Sequence, residues 1–146
     1  MTKEQFADEL VRLFPEKQTG LHEHCQAYNE ILGHVFFADE INIPLVALLE
    51  KGEDTSAIEK YCAFIEDMWF HGDSETRNVV EVTIIERLTD DPLVWLRFGR
   101  YISKEFRWKI NEDILPLLGL NVPKLTTDVK PQKRRKGKKR DWNTEK

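Results

Sequence analysis

Residues 55–71, TSAIEKYCAFIEDMWFH, decide the fold, together with the runs SETRNVVEVTIIERL at 74–88 and PLVWLRFGRYIS at 92–103. In the first run, Ile58, Tyr61, Cys62, Ile65, Met68 and Trp69 recur at steps of three and four, the spacing of one helix face. Asp54 can cap a helix opening at Thr55, Gly72 interrupts the pattern, and Asp73 with Ser74 offers the next cap. The second run places Val79, Val80, Ile84 and Leu88 on a stripe that Val82 and Ile85 widen. Asp91-Pro92 opens the third, with proline suited to the first helical position. Leu93, Leu96 and Tyr101 mark its apolar side, and Val94, Trp95 and Phe98 widen it. Residues 79–85 are rich in β-branched side chains and also read as a strand. A lone strand has no partner here, and helix signals flank it, so helix is the expectation.

Toward the N-terminus, Thr2 and Gln5 have capping-box spacing. Phe6, Leu10, Leu13 and Phe14 form the face of a first helix that Pro15 stops. Leu21, Cys25, Tyr28 and Leu32 form the face of a second, closed by Gly33. Pro44 divides the next stretch, which reads as a short helical piece at Val35–Glu40 and a firmer helix from an Asn42 cap to Lys51. One kinked helix is the alternative. Toward the C-terminus, Phe106, Trp108 and Ile110 alternate as in extended chain, and Asn111 caps a last short helix. The expected architecture is all-α: a compact bundle or short solenoid-like array of six to seven helices over 1–125, then a disordered basic C-terminal tail over 126–146.

Charge divides along the same line. Residues 130–146 hold nine basic and two acidic groups, a charge of +7, while residues 1–129 hold thirteen basic and twenty-four acidic groups, a charge of −11. An acidic body points to a basic partner and a basic arm to phosphates. No apolar run is long enough to cross a membrane, and Met1–Gln5 lacks signal-peptide character, so a cytoplasmic location is expected, with no membrane partner. Cys25 and Cys62 both fall on apolar faces and read as free buried thiols.

Chemistry is sparse. His22-Glu23-His24-Cys25 is the best metal candidate, but His22 and His24 are two residues apart and diverge on a helix. No nucleophile elbow, phosphate loop or dinucleotide fingerprint is present. A pairing of His34 with Asp39 is the weakest candidate, for it needs a pocket the sequence does not show. No enzyme activity, metal or cofactor is expected. The acidic residues matter instead as a field that would steer and hold a basic protein. Lys133, Arg134, Arg135, Lys136, Lys138, Lys139 and Arg140 would neutralise phosphates without reading sequence, and Trp142 would stack on a base.

Two motifs add a resemblance. His34-Val35-Phe36-Phe37-Ala38-Asp39, then Asn42 and the leucines of 45–49, is followed by Asn78-Val79-Val80-Glu81-Val82-Thr83-Ile84-Ile85-Glu86, Leu88 and Asp90-Asp91. Over residues 28–103 the chain resembles a family of small all-helical bacterial proteins similar to toxin-immunity proteins. The resemblance implies a non-enzymatic protein that neutralises a cognate, basic toxin. Combined with the charge reading, the candidate contact residues are Asp39, Glu40, Glu81, Glu86, Asp90 and Asp91. The alternative is a nucleic-acid- or ribosome-associated adaptor that binds through the tail. Oligomeric state stays open.

Overall fold

The computed structural model describes residues 1–126. Five of the seven helices in these residues begin where a short polar side chain reaches the first unpaired N–H groups. Thr2 and Gln5 close a reciprocal capping box at the start of α1 (Lys3–Leu13). Pro15 opens a single 3₁₀ turn (Pro15–Lys17), and α2 runs over Gln18–Tyr28. Helix α3 spans 33–51, α4 covers Thr55–His71 behind Asp54, and α5 spans 74–88 behind Asp73. Helix α6 covers Pro92–Arg100 behind Asp91, and α7 spans 104–118 behind Ser103. The described residues thus form seven helices and no strand, and residues 79–85 are helical.

Three of these helices contain a wider π-helical turn: Ala38–Asn42 in α3, Val80–Ile85 in α5 and Ile110–Ile114 in α7. The spacing of buried residues gives a reason. Gly33, Phe37, Ile41, Leu45 and Leu49 are buried at four-residue steps, as are Thr76, Val80, Ile84 and Leu88, and again Phe106, Ile110 and Ile114. In a straight α-helix each such step drifts by about 40°, and the run would wind off the core. A π turn takes in one extra residue and returns the run to the core. Pro44 and Pro116 follow two residues beyond the π turns of α3 and α7. A proline has no N–H and its ring abuts the carbonyl four residues back, and a locally wider helix relieves both. No proline accompanies the π turn of α5.

Helix α4 is central and packs on α1, α3 and α5. Its Ile58, Cys62, Ile65 and Met68 share one core with Phe6 and Leu10 of α1, Phe37 and Ile41 of α3, and Ile84 of α5. Phe14 stacks on Tyr61 at 4.4 Å between ring centres. Beyond Gly119 (φ 67) the chain turns back on the bundle. Asn111 Nδ2 donates to the Leu125 carbonyl at 2.6 Å and Asn111 Oδ1 accepts from the Leu125 N–H at 2.7 Å. Trp95 Nε1 donates to the Pro123 carbonyl at 2.9 Å.

Several local expectations are corrected. Helix α2 starts at Gln18 and ends at Tyr28, where Asn29 takes the left-handed conformation (φ 62). Its inward face carries His24, with Leu21 half-buried, so Cys25 is exposed and His24 is not a solvated side chain. His24 Nε2 accepts from the Leu32 N–H at 2.9 Å, which ties the following loop to α2. Gly33 opens α3 rather than closing α2, and a Cβ there would stand 3.0 Å from Val79. The stretch around Pro44 is one continuous helix, and Asn42 lies inside it rather than capping it. On α6 the inward residues are Val94, Trp95 and Phe98, while Leu93 and Leu96 face outward. Residues 106–110 are helical, because Ser103 caps from Oγ to the Phe106 N–H, and Asn111 is a mid-helix residue.

Candidate partner-binding surface

The six acidic candidates separate into two groups. Three are engaged with the body of the protein. Glu40 is half-buried, 3.6 Å from Lys17 Nζ, and its carboxyl lies over Gly20 of α2. Glu81 accepts from Trp69 Nε1 at 3.1 Å, across the contact between α5 and α4. Asp91 caps α6, accepting from the Leu93 and Val94 N–H groups at 2.9 and 3.3 Å. The other three, Asp39, Glu86 and Asp90, are exposed. The basic candidates Lys133, Arg134, Arg135, Lys136, Lys138, Lys139 and Arg140 lie outside the described residues.

Two of the exposed three, Asp39 and Glu86, fall near the contact between the π turns of α3 and α5. These turns pack on each other, and the buried Asn42 Nδ2 donates to the Ile84 carbonyl at 3.2 Å. Asp39 stands three residues before that contact and Glu86 two residues after it, so each lies within a turn of it on adjacent helices. Asp90 follows at the end of α5. Helix α6 packs against the second half of α3, where Arg97 Nη1 donates to the Leu49 and Glu50 carbonyls at 2.7 and 3.0 Å. Apolar side chains are left in the open on two of these helices: Ile43 of α3 is 58 %, and Leu93 and Leu96 of α6 are 46 % and 54 % exposed. His34 Nδ1 pairs with Thr83 Oγ1 across α3 and α5, not with Asp39.

A second concave feature escaped the sequence reading. A groove of about 530 Å³ runs between α1 and α4, lined by Glu9 and Leu13 on one side and by Lys60, Ala63, Phe64, Glu66, Asp67, Phe70 and His71 on the other. Glu66 accepts from the Ser103 N–H at 2.7 Å and from its hydroxyl at 2.8 Å. Burial pushes the Glu66 carboxyl above its ordinary value, against those two hydrogen bonds and the nearby Arg107 guanidinium. Arg107 is itself buried and donates to the Gly99 and Ile102 carbonyls at 3.0 and 2.8 Å, and its enclosure lowers its pKa. The signal that could have found the groove is the outward series Lys60, Ala63, Asp67, Phe70 on α4, which repeats at helical steps beside the core stripe.

Cys62 is fully enclosed and burial pushes its thiol well above its ordinary value, so it stays protonated and inert. Among the described residues no three His, Cys, Asp or Glu side chains converge as metal ligands would, and no helix is long and apolar enough to cross a membrane. No curated protein and no solved structure matches the chain. Residues 7–115, from α1 to just past the π turn of α7, match the family described as Domain of unknown function (DUF7674). That match spans more than half of the chain, which therefore belongs to the DUF7674 family.

Proposed function

We propose that this chain is a non-enzymatic binding protein of the immunity type, which neutralises a cognate basic toxin through the surface shared by α3, α5 and α6. The observation that carries the reading is the set of exposed carboxylates at Asp39 of α3, Glu86 of α5 and Asp90 just beyond it, with Ile43 of α3 and Leu93 and Leu96 of α6 also exposed. Exposed apolar side chains together with like charge suit a surface that a complementary partner desolvates, with the charges speeding encounter and setting orientation. Glu40, Glu81 and Asp91 support the surface by fixing helix positions.

The test compares the wild-type chain with the triple variant Asp39→Lys, Glu86→Lys, Asp90→Lys as baits in the native host. One basic protein should be retained by the wild type and lost by the variant, while helical CD and melting temperature stay unchanged. Expressed alone, that protein should arrest growth, and co-expression of the wild-type chain should restore it. A captured protein that is harmless, or that binds both baits equally, refutes the reading.

A second reading rests on composition: eight Lys or Arg residues fall between Lys130 and Arg140. An adaptor working through this arm would bind RNA with log K falling linearly against log salt, roughly 0.7–0.9 per phosphate neutralised. Binding would vanish on removal of residues 130–146. Salt-insensitive binding that survives the truncation would exclude it.

A further inference from the structure

We propose that the groove between α1 and α4 docks the chain's own basic arm, with Lys138–Arg140 over its carboxylates and the Trp142 indole on its apolar floor. The inference is independent of the immunity reading, since none of the six acidic candidates lines the groove.

Groove chemistry comes first. Leu13, Ala63, Phe64 and Phe70 form an apolar floor, and Glu9, Glu66 and Asp67 outnumber Lys60 along it. Glu9 also pairs with Arg12 at 3.1 Å and Asp67 with His71 Nδ1 at 2.8 Å, exposed contacts that an incoming cation can share. Such a lining fits a segment that combines positive charge with one large flat apolar group. The sequence Lys138-Lys139-Arg140-Asp141-Trp142 has that composition. Size agrees as well. Lys60 and His71 mark the ends of the groove along α4, about 16 Å apart at the helical rise. Five extended residues span about 17 Å.

The arm's point of departure is also favourable. Leu125 is fastened to Asn111 and lies against Gly99, where an added Cβ would come within 2.9 Å of it. Gly99 is four residues before Ser103, whose N–H and hydroxyl bind Glu66 of the groove. From Leu125 to Lys138 the chain can extend about 43 Å, ample for the crossing. A tether of this length sets an effective concentration near the millimolar range, so a weak contact suffices. The charges of body and arm, −11 and +7, favour it at low salt.

NMR of the full chain tests this directly. At low salt the Trp142 indole N–H should sit away from its coil position and show NOEs to the Phe64 and Phe70 rings. In the full-length double variant Glu9→Lys, Asp67→Lys it should return to the coil position, as it should for the wild type at high salt. Both substituted residues are solvent-accessible, so the remaining spectrum reports an intact fold. A second variant, Trp142→Ala, should shift only resonances lining the groove. A coil-like Trp142 in the wild type overturns the proposal. So does a shift indifferent to Glu9 and Asp67, which would place the arm elsewhere, or NOEs that fade on dilution, which would place it on a second copy.

Discussion

Asn111 shows how much one side chain can hold in this protein. Its amide both donates to and accepts from the backbone of Leu125, replacing the partners a neighbouring strand would supply. Asn111→Ala strands a buried N–H and a buried carbonyl, and should lower unfolding free energy by about 2–4 kcal/mol in chemical denaturation. Asn42→Ala should cost less, because Asn42 makes one hydrogen bond to the Ile84 carbonyl and its Oδ1 has no partner to lose. Equal losses would refute this ranking. Glu66 gives a pH prediction. Its folded-state pKa lies above the ordinary 4.5, so the folded protein holds a proton that the unfolded chain has already released. Stability therefore falls as pH rises from about the ordinary value through the raised one, and Glu66→Gln should abolish that decline. A denaturation series against pH, wild type beside variant, measures the difference.

At the level of the helices, the three π turns each amount to one residue inserted into an α-helix. Deleting Asp113, which is exposed in the π turn of α7, should convert that turn to regular helix and keep Phe106 and Ile114 on the core side. The variant should remain helical with a modest fall in melting temperature. Deleting Asp8 from the regular α1 instead rotates everything after it by about 100°, drawing Leu10 and Phe14 out of the core. Each large side chain so displaced costs about 2–5 kcal/mol, so that variant should unfold. Similar melting temperatures for the two deletions would refute the account. The same turns explain what was legible in the sequence. Caps at Thr2, Asp54 and Asp73 mark helix starts locally, and all three act as read, while Asp91, read as a contact residue, caps α6. The regions around Pro44 and after Ser103 misled because a fixed helical period loses phase across a π turn, making one helix resemble two pieces or an extended segment. The four-residue repeat of buried side chains carried the missing signal. In α6 the run Leu93-Val94-Trp95-Leu96 is apolar all round, and only packing against α3 selects its inward face.

For the whole molecule, charge separation is the dominant feature, and composition displayed it in full. Which carboxylates are free was not legible, since Glu40 and Glu81 find Lys17 and Trp69 only through tertiary packing. A body of −11 in a chain of −4 makes a kinetic prediction. A basic partner should associate faster with residues 1–129 than with the full chain at low salt, and the two rates should converge as salt screens both. Stopped-flow association at several ionic strengths measures this. Rates that are equal at low salt would mean the arm does not offset the body's field.

The unequal placement of the two cysteines has a practical consequence for such experiments. Cys25 is open to solvent on α2, whereas Cys62 is sealed in the core with its thiol protonated. A thiol-reactive reagent should modify one group per native molecule quickly and the second only on denaturation. Cys25 is therefore a ready-made attachment point for a single fluorophore, and distances from it to other parts of the chain can be followed by energy transfer without first engineering away the other sulfur.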